Sequence, residues 1–263
     1  MREFSESGPV YELKKIGANK ASVFNGYCGF HDNMLFSAID NAIELSDSVV
    51  LKMALRSLTR EILQKENMVK KFRDKIWCAL AGLDYIKQRH VWNLGNQTII
   101  NTKNDISKLR ISFLNIIKDI ESNNLSNYKF WRKEITKIPK FVCSSTVSPK
   151  YDLKGNMIQD LDRVGEFAWL HMESTIIDGA QWVCFVTDSK SKPLREFMDS
   201  VYSFLDNKDR SLDIFSFYCE NIYFKISWHD SLPVYIKQAL NNSCTYPFAN
   251  LAKFSFSNIN WDI

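Results

Sequence analysis

Apolar residues recur at three- and four-residue steps through most of the first half of this chain, and that spacing predicts amphipathic helices. Leu35, Phe36, Ile39, Ala42 and Ile43 make one stripe, which places a helix from Asn33 onward with Asp32 as its N-cap. A second helix opens after Ser46-Asp47, where either side chain can cap the exposed amides, and its apolar face is Val50, Leu51, Ala54, Leu55, Leu58 and Ile62. The pattern leaves open whether it runs on or breaks near Asn67. Val69, Phe72, Ile76, Leu80 and Leu83 mark a third segment, and Ile106, Leu109, Phe113, Ile116, Ile117 and Ile120 a fourth long helix starting near Thr102. Together these predict an antiparallel helical half.

The period changes after Lys140. Residues 167–173 and 181–187 read as two strands, joined through a turn that contains Asp178-Gly179, so a hairpin inside a small sheet is expected. Residues 141–147 and 222–228 are further strand candidates, with helices over 194–205, 212–219 and 232–240. The fold class is therefore α+β: a helical half packed on a small mixed or antiparallel sheet with its own helices. A boundary near 123–127 or at Pro139 gives a mainly helical region, 1–138, and an α+β region, 139–263, packed closely because no stretch between them is long enough to be a flexible linker. Residues 9–31, with Gly17, Gly26 and Gly29, read as extended, turning backbone that carries β-compatible pieces at 10–13 and 21–24. That places Cys28 and His31 on a loop.

Composition narrows the class further. With 263 residues, 45% apolar content and only 9 Gly and 6 Pro, the chain can bury a large core and is unlike a turn-dense sandwich or propeller. Six cysteines spread over the whole length suit reduced thiols in a cytoplasmic protein, not a disulfide scaffold. The N-terminus lacks the apolar core of a signal peptide, and no run approaches the roughly 18 consecutive apolar residues of a membrane span, so no membrane partner is expected. The net charge of +4 implies no nucleic-acid partner by itself. Two local segments hold the basic residues most densely among aromatics: Lys70, Lys71, Arg73 and Lys75 before Trp77, and residues 129–140, from Lys129 through Trp131, Arg132 and Lys133 to Lys140. They offer a face to a protein or nucleic-acid partner, although Glu66, Asp74 and Glu134 interrupt them.

Chemistry concentrates in Cys28-Gly-Phe-His31-Asp32, which sets a soft nucleophile, an imidazole and a carboxylate within five residues. A thiol beside an imidazole can act as a nucleophile, and a Cys-x2-His pair can supply two ligands to zinc. A zinc site would have to recruit isolated residues such as Cys78, His90, Cys143, His171 or Cys219, and no metal is assigned. The ordinary alternatives are that Asp32 caps a helix and Cys28 is a small buried residue. Arg56 and Arg60, one helical turn apart, can hold a phosphate or carboxylate if their helix packs beside the 28–32 segment; Glu61 and Lys65 form a second pair at the same spacing. His171 alternates with Trp169 and Glu173 along its strand, facing either solvent or a cleft. Near the C-terminus, Asp230 or Ser231 can cap a helix that has Pro233 in its first turn.

The opening of the chain, from Lys20 to Phe24 and through Cys28-Gly-Phe-His31-Asp32, Leu35-Phe36, Ile39-Asp40 and Arg60-Glu61 to Lys65, loosely resembles that of uncharacterised bacterial proteins with an N-terminal Cys-x2-His-Asp segment. The resemblance implies no activity. The leading expectation is a cytosolic bacterial effector or hydrolase, with antiphage defence as one setting for it. Cys28, His31 and Asp32 would be catalytic, and Arg56 and Arg60 would bind an anion. The competing class is a non-catalytic protein- or nucleic-acid-binding module whose Cys/His/Asp cluster is structural or holds zinc. No cofactor, substrate or oligomeric state is named by the sequence.

Overall fold

The computed structural model describes residues 3–5, 8–10, 15, 26–136, 140–161, 167–205, 214–215, 218–219 and 222–245. Two short strands, β1 (Glu3–Ser5) and β2 (Gly8–Val10), pair antiparallel at the start. Three helices follow: α1 (Gly29–Asp40), α2 (Asp47–Leu80) and α3 (Tyr85–Glu121). The second half contains β3 (Tyr128–Thr136), β4 (Phe141–Val147), β5 (Leu170–Ile177), β6 (Ala180–Asp188), α4 (Lys192–Leu205), β7 (Ile222–Phe224), α5 (Ile226–Ser231) and α6 (Val234–Thr245). Strands β3 to β7 form one antiparallel sheet in the order β3-β6-β5-β4-β7. The protein is α+β, as its patterning predicts. The sheet takes β3 from the N-terminal side of residue 138.

Several element limits differ from the expected ones, each for a local reason. Ser46 accepts the amide of Val49 and starts α2 as expected, but the helix passes Asn67 without a break. Residues 47–80 contain neither Gly nor Pro, so nothing interrupts the backbone ladder, and the expected third segment is the far half of α2. Helix α3 begins at Tyr85, well before Thr102, because Asp84 caps it by accepting the amide of Lys87 at 3.0 Å. Thr98 and Thr102 donate to the carbonyls one turn back and stay helical within a stretch too polar to show an apolar stripe. The strand expected over 222–228 stops at Phe224, where Lys225 becomes the N-cap of α5. Residues 11–13 and 21–24, and much of the helix expected over 212–219, lie outside the described residues.

The β5-β6 hairpin has the expected two-residue turn. Asp178 (φ 49°) and Gly179 (φ 74°) both adopt left-handed backbone, the conformation that matches the twist of flanking strands and that Asp-Gly tolerates best. At the end of α3, Asn123 (φ 52°) closes a Schellman motif in which the amide of Asn124 reaches the carbonyl of Asp119 at 2.8 Å. Buried Asp119 then accepts from Tyr128 Oη at 2.8 Å and from Asn127 Nδ2 at 3.2 Å, fixing the entry into β3.

The sheet is covered on both faces. Cys184 and Val186 of β6 join Phe36 of α1, Leu51, Ala54, Leu55 and Leu58 of α2, and Ile106, Leu109 and Ile116 of α3 in one core. The alternate residues Val183 and Phe185, with Leu170 and Met172 of β5, pack on Leu194, Phe197, Met198 and Val201 of α4 and on Ile236 and Leu240 of α6 in the other. This two-sided burial explains why β6 reads as a near-continuous apolar run from Trp182 to Val186. Arg132 of β3 donates to the carbonyl of Leu45 and pairs with Asp47 at 2.8 Å, tying the sheet edge to the α1-α2 connection.

Phe36 is the only fully buried side chain of α1 among the described residues, and it holds that short helix against the first core. Phe36→Ala is expected to lower the unfolding free energy by about 3 to 5 kcal/mol through lost burial and a residual cavity, read as a reduced urea midpoint at unchanged slope.

Candidate functional site

Helix α1 begins four residues earlier than its apolar stripe suggests, and this changes the geometry of the Cys-x2-His-Asp segment. Cys28 occupies the N-cap with extended backbone (φ −73°, ψ 156°), and His31 lies inside the first turn, not on a loop. Asp32 is not the cap: its own amide already bonds the carbonyl of Cys28 at 2.9 Å. Residues three apart on a helical turn are neighbours, so Cys28 Sγ meets His31 Nδ1 at 3.0 Å. Both side chains are exposed, and the Cys28 side chain makes no capping bond. Phe30 packs edge-on against the imidazole, with ring centroids 5.4 Å apart.

The segment is anchored to α2 on either side of the pair. Thr59 Oγ1 donates to the carbonyl of Leu55 at 2.9 Å, so it accepts the hydrogen bond from Tyr27 Oη. Asp32 lies 3.4 Å from Arg56, whose guanidinium also approaches Asp40 at 3.6 Å and sits 4.9 Å above the Phe36 ring. Asp32, Phe36 and Asp40 follow at four-residue steps along one face of α1, and Arg56 spans that face. The structure thus brings Cys28, His31, Asp32 and Arg56 together. Arg56 has two carboxylate neighbours, whereas Arg60 donates to Tyr223 Oη at 3.3 Å and has no carboxylate partner among the described residues. Glu61 and Lys65 make their i,i+4 pair at 3.4 Å, and Lys65 also reaches Asp105 of α3 at 3.8 Å.

Sequence reasoning left undecided a second polar cluster, lying under α2 within the sheet. Register places Ser144 of β4 opposite Glu173 of β5, and Thr146 opposite His171, all on the face toward α2. Ser144 Oγ donates to Glu173 Oε1 at 3.1 Å; Ser57 of α2 bonds Thr146 Oγ1 at 2.8 Å, which in turn meets His171 Nδ1 at 2.9 Å. His171 and Glu173 are 5% and 4% exposed, so the imidazole faces neither solvent nor a cleft. Burial pushes the Glu173 carboxyl well above the ordinary carboxylate range, against the lowering effect of the Ser144 hydrogen bond and the Arg56 charge. Burial alone depresses His171 to about 4. Alternation with Trp169 was the only sequence signal for these residues, and it did not say which face they share.

Of the other zinc candidates, buried Cys143 and Cys219 lie against each other, and the rest separate. His171 is walled off from Cys28, Cys78 and His90 lie on the distal parts of α2 and α3, and no group of three His, Cys, Asp or Glu residues suited to a metal ion occurs among the described residues. In the second basic segment, Phe130 packs into one core and Trp131 against the other, while Lys133 Nζ donates to the carbonyl of Leu205. Lys137 lies outside the described residues. Neither Asp230 nor Ser231 caps α6: Ser231 Oγ donates to the carbonyl of Trp228, Asp230 pairs with Lys15 at 2.9 Å, and the carbonyl of Pro233 accepts the first amides of the helix. Two surface hollows, one beside Lys129 and Arg195 and one beside Leu45 and Trp182, include none of the residues around Cys28.

The arrangement is thus an α+β scaffold with a surface thiol-imidazole pair at the start of its first helix. No protein-family model matches the chain, and neither a curated protein nor a solved structure is significantly similar to it. No helix among the described residues is long and apolar enough to cross a membrane.

Buried Glu173 and buried His171 act on stability in opposite directions. Glu173 has a raised folded pKa, so its contribution is fully present below about 4.5, its ordinary value, and is lost as pH rises through the folded pKa. His171 has a depressed folded pKa, so its contribution is present above 6.5 and is lost as pH falls through about 4. Thermal melts across pH should therefore show Glu173→Gln gaining stability over the wild type progressively above pH 4.5, and His171→Asn losing the acid-side decline between 6.5 and 4.

Proposed function

We propose that this chain is a hydrolase that works through a thiol, with Cys28 as nucleophile and His31 as the base that receives its proton. The observation that carries this reading is the 3.0 Å contact between Cys28 Sγ and His31 Nδ1 at an exposed helix N-terminus. In the proposed reaction the thiol proton passes to Nδ1 and the sulfur attacks an acyl carbonyl carbon. The first amides of α1, at Gly29, Phe30 and His31, have no intrahelical acceptor and point toward the place where negative charge develops on the carbonyl oxygen. The leaving group departs with the proton from the ring. Water, deprotonated by the same ring, then cleaves the thioester and releases a carboxylic acid and the free thiol.

Asp32 is a positioning residue in this reading. Its pairing with Arg56 holds the first turn of α1 against α2. Arg60 suits the anionic part of a substrate better than Arg56, because no carboxylate among the described residues neutralises it and it adjoins Thr59, the anchor of Tyr27.

Alkylation by iodoacetamide tests the pair without knowledge of the substrate, and exposed Cys78, which has no such imidazole contact, is an internal control. Peptide mass analysis is expected to show Cys28 modified at least about tenfold faster than Cys78, with His31→Ala removing most of that advantage and leaving the melting temperature unchanged. Equal rates at the two cysteines would leave the thiol without activation and defeat the reading.

A further inference from the structure

Helices α2 and α3 outrun the domain they belong to. Burial along α2 is continuous from Val50 to Ile62 and then, among the described residues, reappears only at Ile76, which packs on Gly95 of α3. A Cβ at position 95 would lie 2.7 Å from Ile76 Cγ1, so glycine permits this one close crossing. Beyond Ile62 the helix continues for about 27 Å at 1.5 Å per residue. The chain reverses there at Gly82 (φ 77°). The result is a two-helix arm with little core of its own.

The arm has an apolar end. Trp77, Tyr85 and Ile86 are 63%, 76% and 79% exposed, and Trp77 leans edge-on against partly exposed Trp92 at 5.3 Å. These side chains flank the 81–84 turn and are the most exposed large apolar residues of the arm, with Met68 and Leu94 further back. A cluster of this kind on a surface otherwise rich in charge marks a contact site.

Charge says what kind of contact. Between residues 68 and 98, Lys70, Lys71, Arg73, Lys75, Lys87 and Arg89 outnumber Asp74 and Asp84 by four, which equals the net charge of the whole chain, so the rest of the protein sums to zero. Asp84, the carboxylate at the tip, caps α3 and pairs with Lys87 at 2.9 Å. Two such arms would repel each other, which disfavours a second copy as the occupant. The basic side chains spread back along the helices from the apolar end: Lys87 adjoins Ile86, Lys75 precedes Trp77 by two residues, and Arg73 is about 6 Å along the helix from Trp77. That offset matches the depth of a lipid headgroup layer, about 5 to 8 Å, above hydrocarbon. Trp and Tyr favour this same interface, and long basic side chains extend toward the headgroups. A nucleic-acid face would instead need a basic groove that tracks the backbone, and neither surface hollow described above lies on the arm.

We propose that the tip of the α2-α3 arm docks on an anionic lipid bilayer, with Trp77, Tyr85 and Ile86 entering the interface and the basic collar meeting the headgroups. This contact lies on the surface of the bilayer and requires no membrane-crossing segment. It is independent of the thiol chemistry, since Cys28 lies at the other end of α2. The full-length protein is expected to sediment with vesicles of phosphatidylcholine containing phosphatidylserine and not with phosphatidylcholine alone. Tyr85→Ser with Ile86→Ser, and separately Lys71→Glu with Arg73→Glu, should each weaken the association by about tenfold or more at unchanged melting temperature, while Cys28→Ala leaves it intact. No sedimentation, equal binding to both vesicle types, or binding that the tip variants do not weaken overturns the proposal. Failure to bind vesicles, with tip-dependent binding of a single-stranded oligonucleotide, overturns it in favour of nucleic acid.

Discussion

Everything in this protein is arranged around one constraint: a five-stranded antiparallel sheet that is packed on both faces. A sheet with one wet face can send polar residues into water, but here most side chains of the central strands must find a partner inside the protein. The apolar residues do so by alternating between two helical layers, Cys184 and Val186 toward α2 and α3, Val183 and Phe185 toward α4 and α6. The polar residues on the α2 side meet one another through the strand register, Ser144 with Glu173 and Thr146 with His171, and Ser57 of α2 completes the chain. The result is a buried carboxyl and a buried imidazole, each kept toward its neutral form by the same lack of water.

Helix α2 couples that interior to the surface. One turn of it carries Leu55 and Leu58 into the core, Ser57 onto Thr146, and Arg56 outward over α1, where it faces Asp32 and Asp40. The Cys28-His31 pair is therefore held by a short helix whose own buried contribution is Phe36, and whose attachment depends on Tyr27-Thr59 and Arg56-Asp32 contacts at the rim. Such partly exposed ion pairs contribute little stability, on the order of 1 kcal/mol or less, so the orientation of the thiol rests more on Phe36 than on charge.

The same helix also explains the contrast between the two ends of the molecule. Where α2 lies on the sheet, its apolar positions are buried without exception from Leu51 through Ile62 along the inner stripe. Past the sheet it has only α3 for company, and two helices cannot hide a full apolar face from water. Trp77, Tyr85 and Ile86 are left outside for that reason, and the basic residues that accompany them give the arm a character that the neutral remainder lacks.

Local chemistry was legible wherever a residue acts on its own neighbours. The α+β class, the start of α2 at Ser46-Asp47, its inner stripe and the Asp178-Gly179 turn all follow from spacing and backbone preference, which need no knowledge of distant segments. The start of α1 at Gly29 was hidden because its first turn faces solvent and shows no apolar stripe; that start is what turns Cys28 and His31 from loop residues into a contacting pair. Pairing across long separations was decided by the tertiary structure alone: Arg56 with Asp32, Arg60 with Tyr223, and the placement of His171 and Glu173 beneath Ser57. Alternation along β5 says that two residues share a face, but which face is covered, and by what, depends on strand order and on the layer that packs above it.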